Sequence, residues 1–173
     1  PVEMGMPNKG DVVKKIKGVK NVKITLGKHF YDAPISRKYK FETPTRVLLV
    51  DDEKEFVQTL SQRLKMRQLE SDVVYNGKDA IDFTEREDTE VMVLDLKMPG
   101  IDGFEVLKKV KETKPEIEVI ILTGHGSEAD RQTCMELGAF AYLQKPADID
   151  LLTSTMKEAY KKVGERKRLS QDD

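Results

Sequence analysis

A single cysteine, Cys134, stands among the 173 residues, so no disulfide can form within the chain. A reducing cytoplasm is the simplest compartment for such a chain. Cys134 falls in a helical pattern with Ala129, Met135 and Leu137 and is read as a packing residue rather than a nucleophile. Long apolar runs are also lacking. Val119-Ile120-Ile121-Leu122 is typical of the runs present, and a membrane span needs roughly 20 apolar residues. No secretory apolar segment opens the sequence. It begins on Pro1, read as loss of an initiator Met or a start inside a longer protein. Hydrophobic residues at 38% and charged residues at 35% fit a soluble globular chain with well-solvated faces.

The formal net charge of -1 conceals an asymmetry. Residues 1–46 hold eleven Lys and Arg against four Asp and Glu, and the rest of the chain carries the compensating negative charge. Such a split suggests two parts with different tasks. From Thr45 onward, short apolar runs alternate with amphipathic stretches. Strands are expected at Val47–Val50, Asp72–Tyr75, Val91–Leu94, Glu118–Leu122 and Phe140–Leu143. Helices are expected at Glu53–Arg67, around Ala80, Ile81 and Phe83, at Phe104–Thr113, at Glu128–Leu137 and at Ile149–Val163. Pro115 closes the third helix and Gly138 caps the fourth. Five β/α units in succession predict an α/β fold, a doubly wound open parallel sheet with helices on both faces. Sites in such sheets form at the carboxyl ends of strands.

Four short motifs lie at those ends: Asp51-Asp52, Asp95 to Gly100, Thr123-Gly124 and Lys145-Pro146. Three clustered carboxylates, Asp51, Asp52 and Asp95, repel one another unless a cation joins them. Hard oxygen ligands with room for water favour Mg²⁺. Thr123 can donate to a phosphoryl oxygen, Gly124 leaves room for one, and the Lys145 ammonium can pair with carboxylate or phosphate. Each motif alone has a plainer reading. Asp-Asp is also a solvated turn, Thr-Gly an ordinary loop and Lys-Pro a surface dipeptide. Tyr142, three residues before Lys145, reads as half-buried packing on an edge strand.

Taken together, in order and spacing, these motifs make the segment from about Thr45 to Tyr160 resemble a two-component response regulator receiver domain of the chemotaxis-regulator type. The matched residues are Asp51-Asp52, Asp95 with Met98-Pro99-Gly100 and Asp102-Gly103, Thr123-Gly124 and Lys145-Pro146. The resemblance implies a flavodoxin-like five-stranded parallel sheet of order 2-1-3-4-5. It implies Asp95 as phosphoacceptor, fed by the phosphohistidine of a sensor histidine kinase or a histidine phosphotransfer protein. It implies Mg²⁺ held by Asp52 and Asp95, by Asp51 through water and by the backbone carbonyl of Lys97. Thr123 would then swing toward the phosphoryl group and Tyr142 turn inward behind it. That would remodel the face formed by the fourth helix, fifth strand and fifth helix, where an unknown protein target binds or a homodimer forms. Lys97, two residues after the acceptor, and His125, two after the switch Thr123, would screen the acyl phosphate from water and slow its loss.

The resemblance gives domain bounds of 45–163 for the receiver, with a polar, frayed tail over 164–173. Residues 1–44 lie outside it. Asp11–Gly18 is expected as a short helix and Val22–Leu26 as a strand, in a basic extension too small for an independent core. Rival functions are a phosphorylation-independent scaffold, an aspartyl-phosphate phosphatase, and a DNA-binding regulator acting through the basic arm. The phosphatases carry a second Asp two positions after the nucleophile, where this chain has Lys97. Aromatic residues are sparse among the basic ones in the arm, which disfavours nucleic acid. The intact acidic trio with Thr123 and Lys145 disfavours the scaffold.

Overall fold

The computed structural model describes residues 11–14, 22–25 and 46–170, in two compact units, Pro1–Phe41 and Glu42–Asp173. In the first unit, β1 (Asp11–Lys14) and β2 (Val22–Thr25) pair antiparallel, Asp11 opposite Thr25 and Lys14 opposite Val22. The strand expected at 22–26 is present over Val22–Thr25, and Leu26 lies outside the described residues. The helix expected from Asp11 is not: Asp11–Lys14 is a strand. The paired segments Val12-Val13 and Val22-Lys23-Ile24-Thr25 are rich in β-branched residues, and pairing overrides a weak helical pattern of seven or eight residues. The remainder of that expected helix, residues 15–18, lies outside the described residues.

The second unit is a five-stranded, all-parallel sheet with five helices. In chain order its elements are β3 (Val47–Val50), α1 (Lys54–Lys65), β4 (Ser71–Val74), α2 (Gly77–Arg86), β5 (Val91–Leu94), α3 (Gly103–Thr113), β6 (Glu118–Thr123), α4 (Glu128–Glu136), β7 (Ala141–Gln144) and α5 (Ile149–Leu169). The strand order is β4-β3-β5-β6-β7, the expected 2-1-3-4-5 of a flavodoxin-like sheet. The three inner strands are buried at every position, as helices on both faces require. Alternate residues sort into two cores. Val47, Leu49, Val91, Val93, Ile120 and Leu122 meet Leu60 and Leu64 of α1 and Leu152 and Met156 of α5. Leu48, Val50, Met92, Leu94, Val119 and Ile121 meet Ala80 of α2, Val106 and Leu107 of α3 and Cys134 of α4. Cys134 is fully buried, as read from the sequence, and burial pushes its thiol up to about 11. No helix among the described residues is long and apolar enough to cross a membrane.

α5 runs to Leu169, six residues beyond the expected end at Val163, so the expected frayed tail is corrected to helix as far as Leu169, and residues 171–173 lie outside the described residues. The extra turns have no apolar stripe. Their support is ionic, at the amino ends of the strands. Glu118, the first residue of β6, is fully buried and faces Arg166 at 2.8 Å, Lys162 at 3.3 Å and Lys111 at 3.7 Å. Arg166 also donates to the Pro115 carbonyl at 3.2 Å, and Lys167 lies 3.5 Å from the buried Glu90. A buried carboxylate requires such partners, and the carboxylates hold the helix that supplies them.

Candidate functional site

Sheet register delivers the site residues to one edge. The hydrogen-bond ladder continues one residue past several strands: Asp51 N donates to Val74 O at 3.2 Å, Asp95 N to Val50 O at 3.0 Å and Lys145 N to Thr123 O at 2.9 Å. Asp51 and Asp95 are therefore fixed by backbone before any side-chain contact forms. Thr123 is the last residue of β6, and Lys145 follows β7 with a cis peptide to Pro146.

Gly103 fixes the loop after Asp95. Its N–H donates to the Leu96 carbonyl at 3.0 Å, and Asp102 caps α3 in a capping box with Glu105. A Cβ at residue 103 would overlap the Asp95 carbonyl oxygen and stand 2.6 Å from Leu96 Cα. Because those atoms are backbone, Gly103→Ala must move Asp95 itself. The expected result is a loss of about 1–3 kcal/mol, measured by urea unfolding. Gly124 is less demanding: a Cβ there would touch only the Lys145 stem, at 3.8 Å.

One carboxylate oxygen each from Asp51, Asp52 and Asp95 lies within 4.8 Å of the others. Asp51 is 3% and Asp95 5% exposed. Into this group comes Lys145, its Nζ 2.6 Å from Asp51 Oδ2, 3.0 Å from Glu53 Oε1 and 4.0 Å from Asp95 Oδ1. Burial raises the pKa of Asp95, against the opposing pull of Lys145 and Thr123, and the nearby Asp52 adds to the rise. Asp51 is raised for the same first reason, burial, against the Lys145 hydrogen bond. Burial works against the Lys145 ammonium as well, but the hydrogen bonds to Asp51 and Glu53 outweigh it and hold its pKa above the ordinary value. Three carboxylates, two of them desolvated, with one ammonium among them leave an excess of negative charge. A hard divalent cation suits that donor set.

Tyr142 lies inward already. Its hydroxyl is buried without a hydrogen-bond partner among the described residues, and a Cβ on Gly126 would overlap it and stand 3.1 Å from the Thr123 methyl. The inward turn implied as a response to phosphorylation is thus the conformation of this structure, made possible by the bare Cα of Gly126. Lys97 and His125 are both exposed, and the His125 N–H donates to Thr123 Oγ1 at 3.4 Å.

Sequence reasoning brought Asp51, Asp52, Asp95, Thr123 and Lys145 to one edge, where they are found. It missed Glu53, taken only as the start of a helix, and Phe56, which lay within that expected helix without a role of its own. The Phe56 ring centroid lies 4.2 Å from Lys145 Nζ, within cation–π range. An acidic residue directly after Asp51-Asp52 was the one available signal.

Comparison with known proteins agrees with this geometry. The family model of the response regulator receiver domain matches residues 47–157. The signal receiver domain of a putative LuxO repressor protein from Vibrio parahaemolyticus is 31% identical, with a TM-score of 0.69. The match covers 73% of this chain and 97% of that one. A CheY-like receiver domain protein from Methanospirillum hungatei is 25% identical over 72% of this chain and 99% of its own, with a TM-score of 0.68. The BeF3-activated receiver domain of DrrB is 28% identical over 69% of this chain and 99% of its own, with a TM-score of 0.62. With the sheet order, the acidic edge and the family match in agreement, this chain belongs to the response regulator receiver domain family.

Proposed function

We propose that this receiver takes a phosphoryl group onto Asp95 from the phosphohistidine of a sensor histidine kinase or a histidine phosphotransfer protein, and thereby switches its protein contacts. The observation that carries the reading is Lys145 seated among the carboxylates, 2.6 Å from Asp51 and 4.0 Å from Asp95. A carboxylate oxygen of Asp95 forms the O–P bond as the P–N bond to the donor imidazole breaks. The bonding pair stays on that nitrogen, which takes up a proton. Asp51, Asp52, Asp95 and the Lys97 carbonyl are the groups that would hold Mg²⁺, and the ion when bound offsets the charge of the phosphoryl oxygens. Lys145 turns its ammonium to those oxygens, which is electrostatic assistance of the kind that dominates phosphoryl transfer. Thr123 donates its hydroxyl to one of them.

The signal leaves by way of Tyr142. Its ring packs beside Thr123 and Gly126, and it also lines a groove of about 360 Å³ with Ser127, Glu128, Arg131, Leu143 and Gln144. A shift of Thr123 toward a phosphoryl group therefore reaches the α4–β7 face through one side chain. That is a bias on a two-state equilibrium rather than a mechanical push. The receiver in this reading is residues 45–163, and the basic segment 1–44 is a separate extension.

Intact-protein mass after treatment with acetyl phosphate and Mg²⁺ tests the proposal. The wild type gains one phosphoryl mass and Asp95→Ala gains none. A gain in both proteins, or in neither, rejects Asp95 as acceptor. The decay of the adduct tests a second expectation. Lys97 and His125 are exposed polar residues two positions after Asp95 and Thr123, and screening by their side chains gives a long-lived phosphorylated state. Loss of the adduct within seconds rejects that role for them.

A further inference from the structure

Each helix of the sheet domain except α1 begins with a side chain that caps it. Asn76, Asp102, Ser127 and Asp148 each accept a hydrogen bond from a backbone N–H of the first turn. Such bonds satisfy donors that a helix leaves open. The N-cap of α1 is Glu53, and its side chain makes no capping bond. Its carboxylate is used elsewhere, 3.0 Å from Lys145 Nζ, across 92 residues of sequence. The backbone N–H of Glu53 meanwhile donates to Asp51 Oδ1 at 2.9 Å, which ties the residue to the carboxylate that also binds Lys145.

An ammonium has three N–H donors. Two of those on Lys145 are engaged by Asp51 and Glu53, the Phe56 ring lies close by, and Asp95 at 4.0 Å is beyond hydrogen-bond reach. Resting Lys145 is therefore paired with the two anions that do not take part in bond formation. Its third N–H is left to meet a phosphoryl group on Asp95, but Nζ stands 4.0 Å from that carboxylate, and moving closer stretches one of the two pairs it already makes. The Asp51 side chain is 5% exposed and that of Glu53 64%. An unpaired buried carboxylate is costly, whereas an exposed one is solvated at once. Glu53 is the partner that yields.

We propose that Glu53 is a positioning residue that holds Lys145 off Asp95 in the unphosphorylated protein and competes with the phosphoryl group for it. This rests on the phosphoacceptor reading above and adds to it the group that sets how readily the site is filled.

The test titrates beryllium fluoride, a phosphoryl stand-in, into the full chain at saturating Mg²⁺, following the bound species by ¹⁹F NMR. Glu53→Gln is expected to lower the half-saturating concentration about twofold to fivefold, the range for loss of an exposed ion pair, with full occupancy still reached. Glu53→Ser does the same and supplies the cap that α1 lacks, so a folding defect in the first variant cannot mask the effect. Glu55→Gln removes the same charge two residues away, on an exposed side chain, and leaves the concentration unchanged. Unmoved Glu53 variants, or an equal fall in Glu55→Gln, overturn the inference while the phosphoacceptor reading stands. A wild type that shows no bound signal overturns both.

Discussion

Lys145→Ala is expected to slow phosphoryl uptake from acetyl phosphate by a factor of about 10²–10³, the usual cost of one preorganised electrostatic contact to the reacting group. It is also expected to unfold more easily at pH 7 in metal-free buffer, and the two effects share a cause. Lys145 is the only cation paired with Asp51 and Asp95 among the ion pairs of the described residues. Both carboxylates are at most 5% exposed. Removing one partner of a buried pair costs about 3–5 kcal/mol when the remaining charge stays ionised. Asp51 has an escape, because it can take up a proton, so a loss of about 2–4 kcal/mol at pH 7 is the better expectation. The sign with pH follows. Burial already raises both acids above their ordinary value, and loss of the ammonium raises them further. An acid raised in the folded state destabilises the fold once pH exceeds its unfolded value near 4, and the full penalty is present above its folded value. The deficit of Lys145→Ala therefore shrinks as pH falls from 7 toward 4. Urea unfolding at the two ends of that range, in chelator, checks it. A variant as stable as the wild type at pH 7 would show that Asp51 and Asp95 do not need this ammonium.

What the sequence discloses of this fold depends on how each residue gains its burial. The inner strands β3, β5 and β6 are buried on both faces, so they appear as unbroken apolar runs, and their positions were legible to within a residue. The edge strand β7 was placed one residue early, because Phe140 is apolar like the strand it precedes. The end of α5 was not legible. Arg166 and Lys167 look like a solvated tail until Glu118 and Glu90, some 50 to 80 residues earlier, are brought beneath them. The amino-terminal helix failed for a similar reason: the partner of Asp11–Lys14 is another strand, not its own next turn. The site divides in the same way. Asp51, Asp95, Thr123 and Lys145 were legible because each sits just past or at the end of a recognisable strand. Glu53 and Gly126 were not, because their roles are contacts with Lys145 and Tyr142 that no local pattern encodes.

Asp95→Asn reverses the usual expectation that changing a site residue weakens a protein. In chelator at pH 7 the variant is expected to be more stable than the wild type by about 1–2 kcal/mol, a rise of a few degrees in midpoint for a domain of this size. Two effects compete. The substitution removes the attraction between Asp95 and Lys145, but those groups are 4.0 Å apart, and Lys145 keeps Asp51 at 2.6 Å and Glu53 at 3.0 Å. It also removes a charge that burial makes costly and that Asp52 repels. The raised pKa of Asp95 records that the second effect is the larger. The advantage of the variant should accordingly fade as pH drops through the folded value of Asp95 toward its unfolded value near 4, where the wild-type carboxyl is protonated and neutral too. Divalent cation acts in the opposite sense. A ligand that binds only the folded state adds RT ln(1 + [L]/Kd), about 2.7 kcal/mol at a hundredfold excess over Kd. The wild type, with three carboxylates, gains this from Mg²⁺, while the variant has lost one charged ligand and gains little. The order of stability should thus invert between chelator and excess Mg²⁺. Paired denaturation curves of the two proteins in both buffers measure that crossing. A variant less stable than the wild type in chelator would mean that Asp95 is held by Lys145 more strongly than burial and Asp52 oppose it. The site would then be poised for its own ammonium rather than for an added cation.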